Sequence, residues 1–215
     1  MKISIKNYTK KLKKKEVLKN INYEFESGKL YGLYGHNGSG KTMLLRALCG
    51  LIYSKEGEIN IAGKILGKDI TFLDSVGVLI EDTKLLPEYT GFTNLKLLNE
   101  IDNALTDEQI KTALRRVGLD PEDSRIVAKY SLGMNQKLVL AQAIMNEPKV
   151  LLLDEPTNGL DEETIELIRK ELLRLKNLGT LIVIASHNKD DIRLLSDEII
   201  GIKEGEIYEI NKQEF

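Results

Sequence analysis

The string Gly35-His36-Asn37-Gly38-Ser39-Gly40-Lys41-Thr42 matches the pattern G-x-x-x-x-G-K-[ST], and it stands between a short apolar run, residues 30–34, and a helix-like stretch, residues 43–49. No other feature of the chain constrains its fold as tightly. Glycines let the backbone curl so that successive N–H groups point inward, and the helix that follows adds the positive end of its dipole. Such a turn holds phosphate oxygens, with Lys41 reaching the β and γ phosphates and Thr42 offering its hydroxyl to Mg²⁺. A nucleotide is the expected ligand.

The rest of the chain must supply strands and helices to frame that turn. Ile3 and Ile5, then Ile21, Tyr23 and Phe25, alternate as half-buried strands do. Residues 58–61 and 76–80 read as further strands, and from 81 to about 145 the pattern becomes helical. In that stretch Thr106-Asp107-Glu108-Gln109 is a capping box, with Ile110, Leu114 and Val117 on one face and Gly118 as the stop. Asp120-Pro121 predicts the start of another helix, and Ser131 is placed to cap the one that carries residues 136–145. Residues 150–153 are wholly apolar, as strands covered on both faces are, residues 180–185 read as the next buried strand, and a helix capped by Asp161 lies between them. The order predicts an α/β core interrupted by a helical insert.

At 215 residues, 30% charged and 42% hydrophobic, the chain suits one folded domain with an inserted subdomain. A net charge of −2 argues against nucleic acid as a partner. One local exception is Lys10, Lys11, Lys13, Lys14 and Lys15 around Leu12, read as a solvated hairpin turn, with anionic lipid or phosphate as the alternative contact. Cys49 is the single cysteine, which suits a reducing compartment, and no apolar run approaches the ~20 residues of a spanning helix. The first residues lack a signal-peptide core. A cytoplasmic chain is expected, meeting the membrane through a partner.

Chemistry beyond the phosphate turn concentrates at two strand ends. The run 150–153 ends in Asp154 and Glu155, at the edge of a parallel sheet where ligands sit. Asp154 is placed to hold Mg²⁺ through its water shell and Glu155 to polarise an attacking water; capping of the next helix is the plainer alternative. His187 follows another buried strand, where an imidazole can donate to a terminal phosphate.

In this order the chain resembles the ATP-binding subunits of ABC transporters over almost its whole length. Residues 35–42 look like the family's Walker A motif and residues 150–155 like Walker B. Tyr130-Ser131-Leu132-Gly133-Met134-Asn135-Gln136-Lys137 looks like the signature motif, Asn158-Gly159-Leu160-Asp161 like the D-loop, and Ala185-Ser186-His187 like the switch-histidine segment. The resemblance implies a P-loop NTPase (RecA-like) core at 1–81 and 141–215, an N-terminal antiparallel β subdomain, and a helical subdomain at 82–140. It also implies ATP and Mg²⁺, hydrolysis by Glu155 with His187, and nucleotide contacts from Gly35, His36, Asn37, Gly38, Ser39, Gly40, Lys41, Thr42 and Asp154.

Ser131 and Gly133, with Asp161, would serve the nucleotide of a second ATP-binding subunit, packed head to tail as a homodimer or heterodimer. A separate membrane-spanning permease would complete the transporter at the inner face of the cell membrane. The alternative function is a soluble ABC-type ATPase acting on a macromolecular assembly, but the chain shows no second cassette, coiled-coil insertion or basic surface.

The sequence departs from the family pattern at several positions. The signature carries Leu132 for its usual glycine and Met134 for its glutamine. Leu12 stands where an aromatic ring normally lies under the adenine, with Tyr8 as a less direct substitute. Glu81 replaces the glutamine of the Q-loop, as in exporters of lantibiotics and bacitracin-like peptides, and is the third expected Mg²⁺ ligand beside Thr42 and Asp154.

Overall fold

The computed structural model describes residues 1–80, 83–102, 104–211 and 215. Its first element is a hairpin, β1 (Lys2–Leu12) and β2 (Lys15–Glu26), turned at Lys13 with a positive φ of 55°. The lysine cluster therefore does form the turn of a hairpin. Strands β4 (Glu56–Ile61) and β5 (Lys64–Ile65) complete an antiparallel sheet of order β2-β1-β4-β5. Its inner face buries Ile3, Ile5, Leu18, Ile21, Phe25, Ile59 and Ile61, the period-two pattern of a sheet wetted on one side.

The second sheet has six strands in the order β10-β9-β3-β8-β7-β6. These are β3 (Leu30–Tyr34), β6 (Val76–Leu79), β7 (Val150–Asp154), β8 (Leu181–Ser186), β9 (Glu198–Lys203) and the antiparallel edge β10 (Glu206–Ile210). Along β7, Val150 and Leu152 join one core while Leu151 and Leu153 join the other, and every residue of the strand is buried. Each fully buried aliphatic side chain contributes about 1.5–3 kcal/mol, so this central strand is a stiff mount for the carboxylates at its end.

Helix α1 (Lys41–Leu48) lies between the two sheets and packs on β7 and β8. The opposite face is covered by α4 (Leu132–Ile144), α5 (Glu162–Asn177) and α6 (Lys189–Leu195), with α2 (Gly91–Asn99) and α3 (Asp107–Arg116) packed outside α4. The expected capping box is present: the Thr106 N–H donates to Gln109 Oε1 at 2.8 Å and the Gln109 N–H to Thr106 Oγ1 at 3.4 Å.

One feature differs from the sequence reading. No helix starts at Asp120-Pro121. Asp120 Oδ1 instead accepts from the Glu122 N–H at 2.9 Å, and Asp123 accepts from the Arg125 N–H and its guanidinium. Such local side-chain bonds compete with helix propagation, and the segment stays a turn before a short 3-10 helix at Val127–Lys129. Helix α4 runs unbroken from its Ser131 cap to Ile144, in agreement with the helix expected over residues 136–145. Its far end sits so close to β6 that a Cβ on Gly77 would lie 1.9 Å from the Ala143 carbonyl oxygen. Glycine there lets helix and strand touch, and α4 belongs to both the insert and the sheet layer. No helix among the described residues is long and apolar enough to cross a membrane.

Candidate functional site

Strand β3 is buried up to Tyr34, and the chain then wraps into the turn at 35–40 before entering α1. Gly40, with a φ of 119°, caps the helix in a conformation that side chains resist, and a Cβ there would stand 3.0 Å from the Val17 carbonyl oxygen. Lys41 is 6% exposed, and its ammonium folds back to donate to the carbonyls of Gly35 at 2.7 Å and His36 at 3.3 Å. The Ser39 hydroxyl is buried with no hydrogen-bond partner among the described residues. A buried hydroxyl without a partner in a glycine-rich turn fits an acceptor such as a phosphate oxygen.

Thr42, at the first turn of α1, donates its hydroxyl to Asp154 Oδ2 at 2.5 Å, which joins α1 to the end of β7. This set of one hydroxyl and one carboxylate fits Mg²⁺, which prefers oxygen and takes few protein ligands when phosphates and waters complete its shell. Among the described residues no group of His, Cys, Asp and Glu forms a metal cage of its own. Glu81 lies outside the described residues.

Glu155 follows with a φ of 48°, an uncommon state for a residue with a side chain. Its carboxylate accepts from the Ser186 hydroxyl at 3.1 Å, the His187 N–H at 3.1 Å and His187 Nδ1 at 2.8 Å. With Nδ1 turned to the carboxylate, Nε2 is the imidazole's outward nitrogen. Buried β8 therefore delivers His187 to the same place that β7 delivers Glu155.

A cleft of about 1440 Å³ opens over these groups. His36, Asn37, Gly38, Gly40, Lys41, Thr42, Asp154 and Glu155 line one end, and Lys11, Lys14, Lys15, Val17 and Lys19 of the hairpin line the other. The hairpin lysines thus face the cleft as well as solvent. Leu12 ends β1 opposite Lys15 at the turn and is 41% exposed; its neighbours Lys11, Lys14 and Lys15 line the cleft, and Leu12 itself does not. Val17, one turn-length further on, is the aliphatic group in the cleft wall. Tyr8 is buried elsewhere, its hydroxyl donating to the Ile52 carbonyl.

Ser131, Gly133 and Asp161 lie outside the cleft lining. Ser131 caps α4 by accepting from the Met134 N–H at 3.2 Å. Gly133 abuts the D-loop, where a Cβ on it would be 3.3 Å from the Gly159 carbonyl oxygen. Asp161 caps α5 through the Thr164 N–H at 2.8 Å, and that hydrogen bond holds its carboxyl below the usual range. Ser131, Leu132 and Asp161 are all exposed.

Sequence reading missed the contacts behind the site. Gln136 reaches from α4 to the loop after Glu155. Thr157 donates to buried Asp191 at 2.6 Å, and Arg169 donates to the other oxygen at 3.1 Å. Asn188 capping α6 just after His187 was the one local signal for the Asp191 contact.

Comparison with known proteins agrees with this geometry. A family model described as "ABC transporter" matches residues 18–158. The ABC transporter ATP-binding protein YybJ of Bacillus subtilis is 51% identical over 205 residues, covering 95% of this chain and 94% of its own. The bacitracin transport ATP-binding protein BcrA of Enterococcus faecalis is 37% identical, covering 96% and 68%. The lantibiotic transport ATP-binding protein SrtF of Streptococcus pyogenes is 35% identical, covering 95% and 88%. Among solved structures, "Dimeric Structure of MJ0796, a Bacterial ABC Transporter Cassette" superposes with a TM-score of 0.86 at 25% identity, over 97% of this chain and 99% of that one. Phosphate turn, paired carboxylates, outlying signature helix and these likenesses together place the chain in the ABC transporter family, as one of its ATP-binding cassettes.

Proposed function

We propose that this cassette hydrolyses ATP to drive export through a separate membrane-spanning partner, each nucleotide being closed between its own phosphate loop and the signature helix of a second cassette. One observation supports the two-chain site: the phosphate turn from His36 to Thr42 lines the cleft together with Asp154 and Glu155, and His187 is bonded to Glu155, while Ser131, Gly133 and Asp161 neither line the cleft nor bond to a group that does. The free N–H groups at the start of α4 point away from the helix toward a surface that an opposing nucleotide can occupy. The dimeric form of the MJ0796 cassette supports the same arrangement.

Within one chain the roles follow from the contacts. Lys41 exchanges the Gly35 and His36 carbonyls for phosphate oxygens, and Thr42 with Asp154 would hold Mg²⁺, which supplies charge neutralisation for the phosphates when bound. Glu81 is proposed as a further ligand on the resemblance alone. Glu155 takes a proton from water once one of its oxygens leaves His187, whose imidazole then donates to the terminal phosphate.

Export is favoured by the bacitracin and lantibiotic transport relatives. A groove of about 550 Å³ between the end of β6 and the helical layer, walled by Leu85, Pro87, Tyr130 and Leu132, suits short cytoplasmic helices of the membrane partner. It reaches Asp154 and Glu155, so a partner seated there touches the walls of the site. Residues 82–140 are proposed as the moving subdomain, hinged by α4, and the cassette is placed at the cytoplasmic face of the membrane.

Two experiments test the reading. Turnover per chain is expected to rise with chain concentration and then level off; a rate per chain that is flat over about a hundredfold range rules out a pocket shared between molecules. The second concerns the base. Among the described residues no Phe, Tyr or Trp lines the cleft, and a ring stacked on a base contributes about 0.5–1.5 kcal/mol. GTP is therefore expected to be hydrolysed with kcat/KM within about threefold of ATP, and an ATP preference above about tenfold would count against Val17 and the lysine stems as the base contact.

A further inference from the structure

Gln136 lies past Ser131 and Gly133 on α4, and its side-chain amide crosses to the loop after β7. There Nε2 donates to the carbonyl oxygens of Glu155 at 3.1 Å and Pro156 at 3.3 Å. Those carbonyls belong to the backbone that carries the carboxylate. The Glu155 carbonyl also accepts from the Asn158 N–H at 3.2 Å, and the Glu155 N–H donates to the Ala185 carbonyl at 2.8 Å. On the sheet side the loop is pinned again through Thr157, Asp191 and Arg169.

Glu155 combines a φ of 48° with a proline as its next residue, two restrictions on one backbone unit. A strained unit keeps its shape only where its surroundings over-determine it. Bonds from β8 and α6 come from the rigid core. Gln136 brings a bond from α4, whose far end is seated against β6 at Gly77 and whose near end carries exposed Ser131. A load on Ser131 would tilt the helix about that seat, and Gln136 stands between the load and the pivot.

We propose that Gln136 is a positioning residue for hydrolysis: within one chain it ties the placement of the signature helix to the backbone of Glu155, and so sets where the carboxylate stands. This rests on Glu155 acting on water, as proposed above. Gln136 touches neither the phosphate turn nor the hairpin end of the cleft, so its loss bears on the chemical step and not on nucleotide binding. Gln136→Met keeps the length and bulk of the side chain but removes its donors. Gln136→Glu keeps the shape and sets a carboxylate against two carbonyl oxygens.

The test is steady-state ATP hydrolysis by the full chain, with Mg-ADP affinity measured alongside. Gln136→Met is expected to lower kcat about tenfold, the size of a lost pair of modest hydrogen bonds, with KM and Mg-ADP affinity within about twofold of the parent. Gln136→Glu is expected to fall further. A packing role alone predicts that Met behaves as the parent, and parental turnover in Gln136→Met overturns the proposal, as does a fall matched by an equal loss of Mg-ADP affinity. If the Met variant does not fold, Gln136→Glu decides by the same two measurements. Glu155→Gln is assayed in parallel. Full turnover in that variant removes the reading of Glu155 and this proposal with it, whereas an inactive Glu155→Gln beside an unaltered Gln136→Met removes the positioning role alone.

Discussion

Glu155→Gln is expected to lower ATP turnover by about 10²- to 10⁴-fold, the usual worth of a positioned general base, while Mg-nucleotide affinity stays within about threefold of the parent. The amide has the shape of the carboxylate: its oxygen can still accept from His187 at the 2.8 Å contact, while its NH2 can donate to the Ser186 hydroxyl at the 3.1 Å contact. What the amide lacks is a basic oxygen for the proton of water. Nucleotide once bound is then trapped, and ATP with Mg²⁺ should move this variant from monomer to dimer on a sizing column. Undiminished turnover would show that Glu155 only shapes the loop, and a variant that stays monomeric at saturating Mg-ATP would remove the two-chain pocket.

Lys41→Met is expected to weaken Mg-ATP binding by about 30- to 100-fold, because a hydrogen bond to a charged group contributes about 1.5–3 kcal/mol and the ammonium makes more than one. A second effect separates binding from architecture. In the resting chain the ammonium satisfies the Gly35 and His36 carbonyls, and Lys41 is almost wholly buried, so methionine leaves acceptors unpaired at about 1–3 kcal/mol of folding stability. Calorimetric binding and urea unfolding on the same variant measure both. A fall in stability with unchanged affinity would make Lys41 a strut of the turn and not a phosphate ligand.

Much of the architecture was legible because single strands and helices follow local rules. The wholly apolar run at 150–153, the capping box at Thr106 and the cap at Asp161 each appear where their patterns predict them. That no helix starts at Asp120-Pro121 was not legible, because Asp120 takes the Glu122 N–H and Asp123 the Arg125 N–H in local turns. Whether Leu12 or a neighbour faces the cleft was not legible for a different reason. Its distance along the chain from Lys41 is a sequence quantity, but which hairpin residue faces the cleft depends on strand register, and β1 and β2 shift register near the turn.

Sequence alone therefore determined which groups could do chemistry here: the phosphate turn, the carboxylates at 154 and 155, the histidine at 187 and the serine that caps α4. These depend on residue type and on neighbours a few positions away, where helix ends and strand ends impose their own rules. Tertiary structure decided which of them meet. Parallel pairing of β7 with β8 sets Glu155 against His187, α4 seated on Gly77 brings Gln136 to the loop after β7, and Ser131 at the other end of α4 lies outside the cleft lining. Such contacts join residues far apart in the chain through packing and register, and no local pattern encodes them.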